Sequence, residues 1–373
     1  MSNSVLNHFT SCILLINPTR FPNAVRRLKR YLQDYEIPRV METKNQEHFI
    51  ESVKQFSAGD YQNLLVWGGD GTVHQAINAL MNSGTQFHEG SNQPKKSIGF
   101  LRGGSGNGIQ DSYEEPFAIR KQLKIFAESI ARNYTIDVDL LEINDGNSIV
   151  YGQLAGFGFD AAVLKNRETR NVTRGKRSPV SRSGIMNYVV SAWRTYQDFD
   201  LQQQDRFTLK LYDGKYALRG TRVNAEFPID MLQMPVHPVM MEVGTRPYYG
   251  RMFKVCPDVV CNDGNMDLYL FNFEDRTAIL YNLFSLWNGR HHKINQRFAK
   301  KDKPLIERYE IKRLEISSMK PFNYHIDGEL KMANQSVEGQ YSLSVSVKPR
   351  AISFLVPRTF YKKFHPFDGE DED

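Results

Sequence analysis

The segment from Gly68 to Thr72 carries the strongest chemical signal in the sequence. It reads Gly-Gly-Asp-Gly-Thr, follows a short apolar run and precedes apolar residues at helical spacing. Glycines let a backbone approach a polyphosphate closely, and a helix N-terminus favours negative charge. Asp70 would repel phosphates unless it handles Mg²⁺ or a proton. A plain strand-to-helix turn is the alternative, but the combination of loop, carboxylate and helix favours a nucleotide phosphate site.

A second glycine run, Gly103 to Gly108, follows the strand-like residues Ile98 to Leu101. Within it, Ser105 and Asn107 have side chains that can hydrogen-bond phosphate or ribose. Two such loops at the same edge of a parallel sheet would face one crevice. Neither loop has the Gly-Lys-Ser/Thr ending of a P-loop, and neither fits the dinucleotide-binding fingerprint.

Two acidic turns are further candidates. The tripeptide Asp327-Gly328-Glu329 follows a strand-like run, and a carboxylate displayed there can act as general base towards an alcohol. The same letters recur at 368–370 in an acidic tail, where we expect them to be solvated and inert. The turn Asn262 to Asp267 is either a hairpin turn or an oxygen-ligand site for Mg²⁺.

Basic residues are concentrated between Arg167 and Arg182, with little acid among them. Such a run is usually a solvated face; the functional alternatives are contact with ATP phosphates or with anionic lipid. The helix-like segment Ile185 to Tyr196 follows, and it would pack in the core or line an acyl-chain pocket. No recognisable nucleic-acid-binding module occurs, so we expect no nucleic-acid partner.

The elements that must position these residues change type along the chain. Apolar runs alternate with helical spacing up to about residue 134, which predicts an α/β domain with a doubly wound, largely parallel sheet. Short strand-like runs then predict a mostly antiparallel, β-rich domain. We therefore predict domains at 1–134, joined by a returning segment at 351–367, and at 135–350, followed by an acidic tail at 368–373. The strand-like runs of the second domain are 135–143, 148–154, 207–211, 266–273, 314–317 and 341–347.

The composition sets broad limits. The chain has 373 residues, a net charge of +6 and 40% hydrophobic residues, which is ordinary for a globular protein and fits an anionic partner. Its three cysteines make no disulfide framework. No apolar run approaches the roughly 20 residues of a spanning helix, and the N-terminus does not read as a signal peptide. We expect a cytoplasmic protein whose membrane contact is peripheral.

In their order and spacing, these motifs resemble the diacylglycerol kinase and sphingosine kinase superfamily, including its bacterial lipid kinases. The resemblance runs from Asn17-Pro18 through both glycine loops and the segment Gly156 to Ala161 to the turn Asp327-Gly328-Glu329. It implies that a nucleotide lies in a cleft between the α/β domain and a β-rich lipid-substrate domain. It also implies ATP and Mg²⁺ as cofactors. The reaction would be transfer of the γ-phosphoryl group to the hydroxyl of a diacylglycerol or sphingoid base at a membrane surface. A homodimer is a further expectation.

The resemblance also assigns roles to residues. Glu329 would be the general base, and Asp70 would orient phosphate and Mg²⁺, with the base role as its alternative. Asp160 would lie near the lipid head group. Asp263, with the carbonyls of Val260 and Asn265, would hold Mg²⁺. The ATP contacts would be Asn17, Thr43, Gly68, Gly69, Asp70, Gly71, Thr72, Val73, His74, Gly104, Ser105, Asn107, Arg167 and Arg174.

Two residues in the glycine-loop region depart from the pattern of the bacterial lipid kinases, and two other functions remain as alternatives. Ser105 stands where many bacterial members have Thr, which keeps the hydroxyl, and His74 stands where Asn is frequent. One rival is a soluble phosphotransferase similar to NAD kinase. The other is a non-catalytic nucleotide-binding protein at membranes, against which the presence of Asp70 and Glu329 argues.

Overall fold

The chain forms two compact units, which we describe separately. A computed structural model describes residues 9, 11–18, 22–85, 87, 95–174, 195, 206–217, 227–250, 253–274, 276–297, 304–336 and 339–367. Unit 1 comprises Met1–Val138 and Arg350–Asp373, and unit 2 comprises Asp139–Pro349. The predicted domain borders after residues 134 and 350 stay predictions; the compact units change after residues 138 and 349.

Unit 1 is built on a parallel sheet. Its strands are β1 (Cys12–Ile16), β2 (Arg39–Glu42), β3 (Asn63–Gly68) and β4 (Ser97–Arg102), in the spatial order β2-β1-β3-β4. All of these strands pair in parallel, and Phe354 of the returning segment pairs in parallel with Ile98. Every residue of β1, β3 and β4 is buried, as expected for a parallel sheet covered on both faces.

Helices connect these strands and cover the sheet. They are α1 (Pro22–Leu32), α2 (Gln46–Ala58), α3 (Asp70–Asn82), α4 (Gly108–Ser112) and α5 (Ile119–Arg132). The face of α3 predicted from helical spacing, Val73, Ala76, Ile77 and Leu80, is fully buried. This face explains why α3 starts where it does: its apolar residues begin one turn after the glycines and hold the helix against the sheet.

Unit 2 is an antiparallel structure. Its central order is β16-β15-β7-β10-β13-β14, with β8 paired to β14 and β9 paired to β8. Two strands run from one unit into the other: β5 (Thr135–Asn144) begins in unit 1, and β18 (Tyr341–Leu355) ends in it. The other strands of unit 2 are β6 (Ile149–Gly152), β7 (Leu154–Gly158), β8 (Phe207–Tyr216), β9 (Phe227–Val236), β10 (Met240–Gly244), β11 (Tyr248–Gly250), β12 (Phe253–Lys254), β13 (Met266–Phe271), β14 (Ile306–Ser318), β15 (Asn323–Ile326), β16 (Glu329–Met332) and β17 (Asn334–Gln335). Its helices are α6 (Phe159–Arg174), α7 (Arg276–Trp287) and α8 (His291–Arg297), and α9 (Arg358–Phe364) belongs to unit 1.

One predicted strand of unit 2 is divided in two. The run 148–154 forms β6 and β7 with a break at Gln153. The backbone N–H of Gln153 donates to the carboxylate of Asp327 at 3.2 Å instead of joining a strand ladder. A side chain distant in sequence causes this break, so the local pattern carries no sign of it.

The predicted fold class is confirmed: a parallel α/β unit and an antiparallel β-rich unit occur in the expected order. The nucleotide position expected from the resemblance stays a prediction. Within the described ranges, no helix is both long enough and apolar enough to cross a membrane. The predicted helix 185–196, the basic residues beyond Arg174 and the acidic tail lie outside the described residues, apart from Thr195.

Candidate functional site

The candidate phosphate site of unit 1 lies at the carboxyl ends of its parallel strands. The sheet order places β2 on one side of β1 and β3 on the other, so the chain changes direction between β1 and β3. Such switch points are where open α/β sheets bind ligands. Asn17, just after β1, donates from Nδ2 to Thr72 Oγ1 at 3.1 Å. Thr43, just after β2, is buried and donates from Oγ1 to the carbonyl of Ile16 at 3.3 Å.

The two glycine loops are in direct contact at this edge. A Cβ on Gly104 would lie 2.3 Å from the Cα of Gly69, and one on Gly69 would lie 2.8 Å from the Cα of Gly104. The N–H of Gly103 donates to the carbonyl of Gly68 at 2.9 Å. The loops therefore need glycine for their mutual approach. No side chain caps the N-terminus of α3, whose first N–H groups thus suit an anionic ligand.

Asp70 fastens the first glycine loop to the second. Its carboxylate accepts hydrogen bonds from the backbone N–H groups of Asn107 at 2.8 Å and Gly108 at 2.7 Å. A Cβ on Gly106 would lie 2.3 Å from Asp70 Oδ2, so this approach also requires glycine. Sequence reasoning did not foresee this clamp. The predicted roles of Asp70 towards Mg²⁺ or a proton stay predictions.

The remaining predicted ATP contacts occupy the same two loops and α3. Asn107 adopts the left-handed conformation, at φ 61°, and its side-chain amide closes the second loop by two 3.0 Å hydrogen bonds with the backbone of Gly104. The side chain of Val73 is fully buried, so only the backbone of this residue is left to contact a ligand. His74 is largely buried beside Asn78. The structure thus brings together Asn17, Gly68, Gly69, Asp70, Gly71, Thr72, Gly104, Ser105 and Asn107.

In unit 2, the Asp-Gly-Glu tripeptide is a tight hairpin. Asp327 and Gly328 both have positive φ, 49° and 88°, between β15 and β16. This is the arrangement of a two-residue type I′ turn, for which Asp-Gly is a preferred sequence. Ile326 and Glu329 face each other across it.

The two carboxylates of this hairpin have different surroundings. Asp327 is buried and accepts hydrogen bonds from the N–H of Leu154 and from Arg246 Nη2, both at 3.1 Å. Glu329 is exposed at the start of β16. Asp327 therefore holds the hairpin, whereas Glu329 is exposed to solvent. The predicted role of Glu329 as base stays a prediction.

Asp160, predicted to lie near a lipid head group, belongs to a buried cluster in unit 2. His325 Nε2 and Asp160 Oδ2 lie 2.6 Å apart, and Glu242 of β10 completes the group. Burial and the charge of Asp160 raise the pKa of Glu242 well above its ordinary value. We missed Glu242, His325 and Arg246 in the sequence. The signal for Glu242 is a charged residue inside the apolar run Met241-Glu242-Val243, which predicts a buried carboxylate.

The predicted Mg²⁺ turn is an Asx turn before β13. Asp263 Oδ1 accepts from the N–H of Asn265 at 3.0 Å, and Gly264 has φ 79°. Partial burial and the charge of Glu310 raise the pKa of Asp263. A cation would relieve this repulsion, and the carboxylate and carbonyl donors suit Mg²⁺. The ligand roles of Asp263, Val260 and Asn265 stay predictions, as do those of Arg167 and Arg174, which lie on α6 with side chains outside the described part.

Comparison with known proteins identifies the family. The model described as "Diacylglycerol kinase catalytic domain" matches residues 11–143. The model described as "YegS C-terminal NAD kinase beta sandwich-like domain" matches residues 157–356, more than half of the chain.

Two curated relatives match parts of the chain. A Mycobacterium tuberculosis protein named diacylglycerol kinase is 25% identical over 235 residues, covering 62% of this chain and 62% of its own length. Sphingosine kinase 2 of Arabidopsis thaliana is 28% identical over 131 residues, covering 35% of this chain and 26% of its own. The chain thus spans less than two thirds of either relative.

A solved structure shares the fold. A diacylglycerol kinase structure from Bacillus anthracis superimposes with a TM-score of 0.57, covering 94% of this chain and 97% of the other at 14% identity. Together with the two family models, these findings show that the chain belongs to the lipid kinase family that joins a diacylglycerol kinase catalytic domain to a YegS-type C-terminal domain.

Proposed function

We propose that this protein is an ATP- and Mg²⁺-dependent lipid kinase that transfers the γ-phosphoryl group to a hydroxyl of a diacylglycerol or sphingoid-base lipid. The observation that carries the proposal is the pair of interlocked glycine loops at the switch point of a parallel sheet. Their backbones approach closely because Gly69 and Gly104 have no side chains. Membership of a lipid kinase family indicates which acceptor class such a phosphate site serves.

Unit 1 would bind ATP. The polyphosphate would lie against Gly68 to Thr72 and Gly104 to Asn107. There the N-terminus of α3, with its first N–H groups, favours the negative charge of the phosphates. Asp70 would act by holding the two loops at a fixed separation, since two short hydrogen bonds already occupy its carboxylate. Positioning of this kind supplies a large share of the rate in phosphoryl transfer.

Unit 2 would supply the acceptor side. Glu329, exposed on the hairpin, would accept the proton of the lipid hydroxyl as the oxygen attacks the γ-phosphorus. Asp160 would orient the head group. Mg²⁺, where bound, neutralises phosphate charge, and Asp263 with the carbonyls of Val260 and Asn265 would hold one such ion.

The test compares the wild type with Glu329→Gln. Both are incubated with γ-labelled ATP and mixed lipid vesicles, and label in the lipid phase is measured over time. Removal of a general base should lower kcat by roughly 10²- to 10⁴-fold. Circular dichroism and the cooperativity of unfolding would show that the fold survives, because the replaced side chain is exposed.

Asp230→Asn is the matched control, because Asp230 is an exposed carboxylate on β9 of the same unit. It should retain wild-type turnover. Unchanged kcat in Glu329→Gln would remove this residue from the base role. Phosphorylation of NAD in place of any lipid would instead support the soluble rival.

A further inference from the structure

Three side chains with metal-binding atoms meet inside unit 2. Asp160 comes from the first turn of α6, Glu242 from β10 and His325 from β15. One ligand atom from each lies within 4.8 Å of those of the other two. All three residues are at most 4% exposed. Polar groups are seldom buried at this density unless they bind one another or a ligand.

Glu242 points to a ligand rather than to a closed hydrogen-bond network. Among the described residues, no nitrogen or hydroxyl donor hydrogen-bonds either of its carboxylate oxygens; its polar neighbour is the carboxyl group of Asp160, with which it can share only a proton. The charge of Arg246 also acts on Glu242, but its guanidinium is hydrogen-bonded to Asp327 and to the carbonyl of Tyr248. With Arg246 paired to Asp327, the two carboxylates have one imidazole as their direct partner.

The backbone leaves room at the ligand atoms. A Cβ on Gly156 would lie 2.2 Å from His325 Nε2 and 2.7 Å from Glu242 Oε1. Glycine at this position of β7 thus keeps the space beside both atoms free of carbon.

We propose that Asp160, Glu242 and His325 bind one divalent transition-metal ion of the Zn²⁺ or Mn²⁺ class. Imidazole and carboxylate oxygens suit these ions, whereas Mg²⁺ prefers oxygen ligands alone. Two positive charges balance the two carboxylates. Bonds of about 2.1 Å place neighbouring ligand atoms about 3.0–3.4 Å apart, so the 2.6 Å pair of Asp160 and His325 opens by roughly half an ångström on binding. This site is separate from the Mg²⁺ turn at Asp263.

The test uses the full chain after removal of metals with a chelator. Zn²⁺ is titrated by calorimetry, and Co²⁺ is followed by its visible absorption as a second probe. The wild type and Asp263→Asn should each bind one equivalent at this site. Glu242→Gln and His325→Gln should bind at least about 10²-fold more weakly, since each loses a ligand.

A variant-independent measurement guards against misfolding. X-ray absorption at the zinc edge of the wild type should show nitrogen and oxygen neighbours without sulfur. Lack of one-to-one binding by Asp263→Asn, in which the proposed Mg²⁺ turn has lost its carboxylate, a sulfur neighbour, or equal affinity in a folded Glu242→Gln would overturn the proposal. The proposal is also overturned if the wild type binds no metal and Glu242→Gln melts at a higher temperature. Asp160 and Glu242 would then be two carboxyl groups that share a proton.

A second inference comes from the surface of α7 and α8. Tyr281 and Phe284 are each 73% exposed, and Leu283 is 51% exposed, so three large apolar side chains lie in solvent within four positions. Arg290, Lys293 and Arg297 are exposed just after them, and no Asp or Glu occurs between Arg276 and Arg297. Exposed aromatic residues beside cations, in a segment that contains no acidic residue, are typical of surfaces that enter the interface of anionic bilayers.

We propose that this α7–α8 surface docks on an anionic lipid bilayer, with Tyr281, Leu283 and Phe284 in the interfacial layer. The inference extends the proposed lipid kinase function, but its test needs no turnover. Vesicles with and without anionic lipid are sedimented with the full chain in the absence of ATP. The wild type should bind anionic vesicles, and Leu283→Ser with Phe284→Ser should bind roughly tenfold more weakly.

Met319→Ser is the matched control, because Met319 is also 73% exposed but lies in a turn of unit 2 far along the chain from α7. It should bind as the wild type does. Activity on lipid dispersed in detergent should be equal in all three proteins, which separates this proposal from the kinase proposal. Equal sedimentation of the double variant would overturn it, as would a dimer that the double variant dissociates without any change in vesicle binding.

Discussion

Asp327 and Glu329 are two carboxylates of one hairpin with different surroundings: Asp327 is buried and paired, and Glu329 is exposed. The buried Asp327 pairs with Arg246, whose side chain is equally inaccessible. Breaking a buried pair from one side leaves an uncompensated charge. The short type I′ turn then places Glu329 on the outside, so the structural carboxylate fixes the position of the exposed one.

Asp327→Asn should therefore lower the free energy of unfolding by roughly 3–5 kcal/mol, because it leaves Arg246 buried without its counter-charge. Urea unfolding followed by circular dichroism measures this loss. Glu315→Gln, which removes a partly exposed pair with Arg313, is the control and should cost no more than about 1 kcal/mol. Equal losses in the two variants would show that the Asp327 pair does not anchor the hairpin.

His291 gives unit 2 a defined response to acid. Burial lowers the pKa of His291 to about 4, and its Nε2 lies 2.8 Å from the carbonyl of Val255. The unfolded chain, with the ordinary value of 6.5, binds the proton first as pH falls. Stability is therefore complete above about pH 6.5 and is lost between pH 6.5 and 4, by roughly 3 kcal/mol in total.

The measurement is the free energy of unfolding at pH 7, 5.5 and 4. His291→Gln keeps an N–H donor for Val255 but cannot titrate, so its stability should fall less over this range than that of the wild type. Parallel curves for the two proteins would show that another group causes the loss.

At the scale of elements, the two glycine loops behave as one unit because Asp70 joins them. Asp70→Asn should lose part of this clamp, since an amide nitrogen would face backbone N–H groups. We expect a stability loss of roughly 1–3 kcal/mol together with weaker ATP binding, measured by thermal unfolding and by calorimetry.

Asp34→Asn, an exposed carboxylate after α1, serves as the control for Asp70→Asn and should change neither quantity. If Asp70→Asn instead keeps full stability and full ATP affinity but loses turnover, Asp70 is the base and not the clamp. In that case Asp70, and not Glu329, would be the general base.

The elements themselves were largely predictable from sequence. The apolar runs at 12–17 and 64–67 predict strands, and the structure has buried parallel strands there, at Cys12–Ile16 and Asn63–Gly68. The helical spacing from Val73 to Leu80 likewise predicts the buried face of α3. Local pattern sufficed because burial on both faces leaves an uninterrupted apolar run. The glycine loops were found in the same way, from their clustered glycines, and the structure needs these glycines for the close approach of the two loops.

Contacts between distant residues were not predictable. His325 meets Asp160 across 165 positions, and Asp327 meets Gln153 across 174. Each depends on the antiparallel order of unit 2, which no local spacing encodes. The clamp from Asp70 to Gly108 was hidden for the same reason, although both of its ends lay in motifs already singled out.

For the whole molecule, the proposed function divides its tasks between the two units. Unit 1 contains the loops that we assign to ATP, and unit 2 contains the exposed Glu329, the turn at Asp263 and the cluster around Asp160. The two family models match in the same order along the chain. Because the proposed phosphate site belongs to unit 1 and the proposed base to unit 2, we expect kinase activity only from the full chain.

The most direct test of the account is phosphoryl transfer by the wild-type chain. The protein is incubated with γ-labelled ATP, Mg²⁺ and a total lipid extract, and the labelled product is identified by mass spectrometry. The wild-type chain should form a single class of phosphorylated lipid, from a diacylglycerol or a sphingoid base. ATP binding without any labelled lipid, or label in NAD alone, would contradict it.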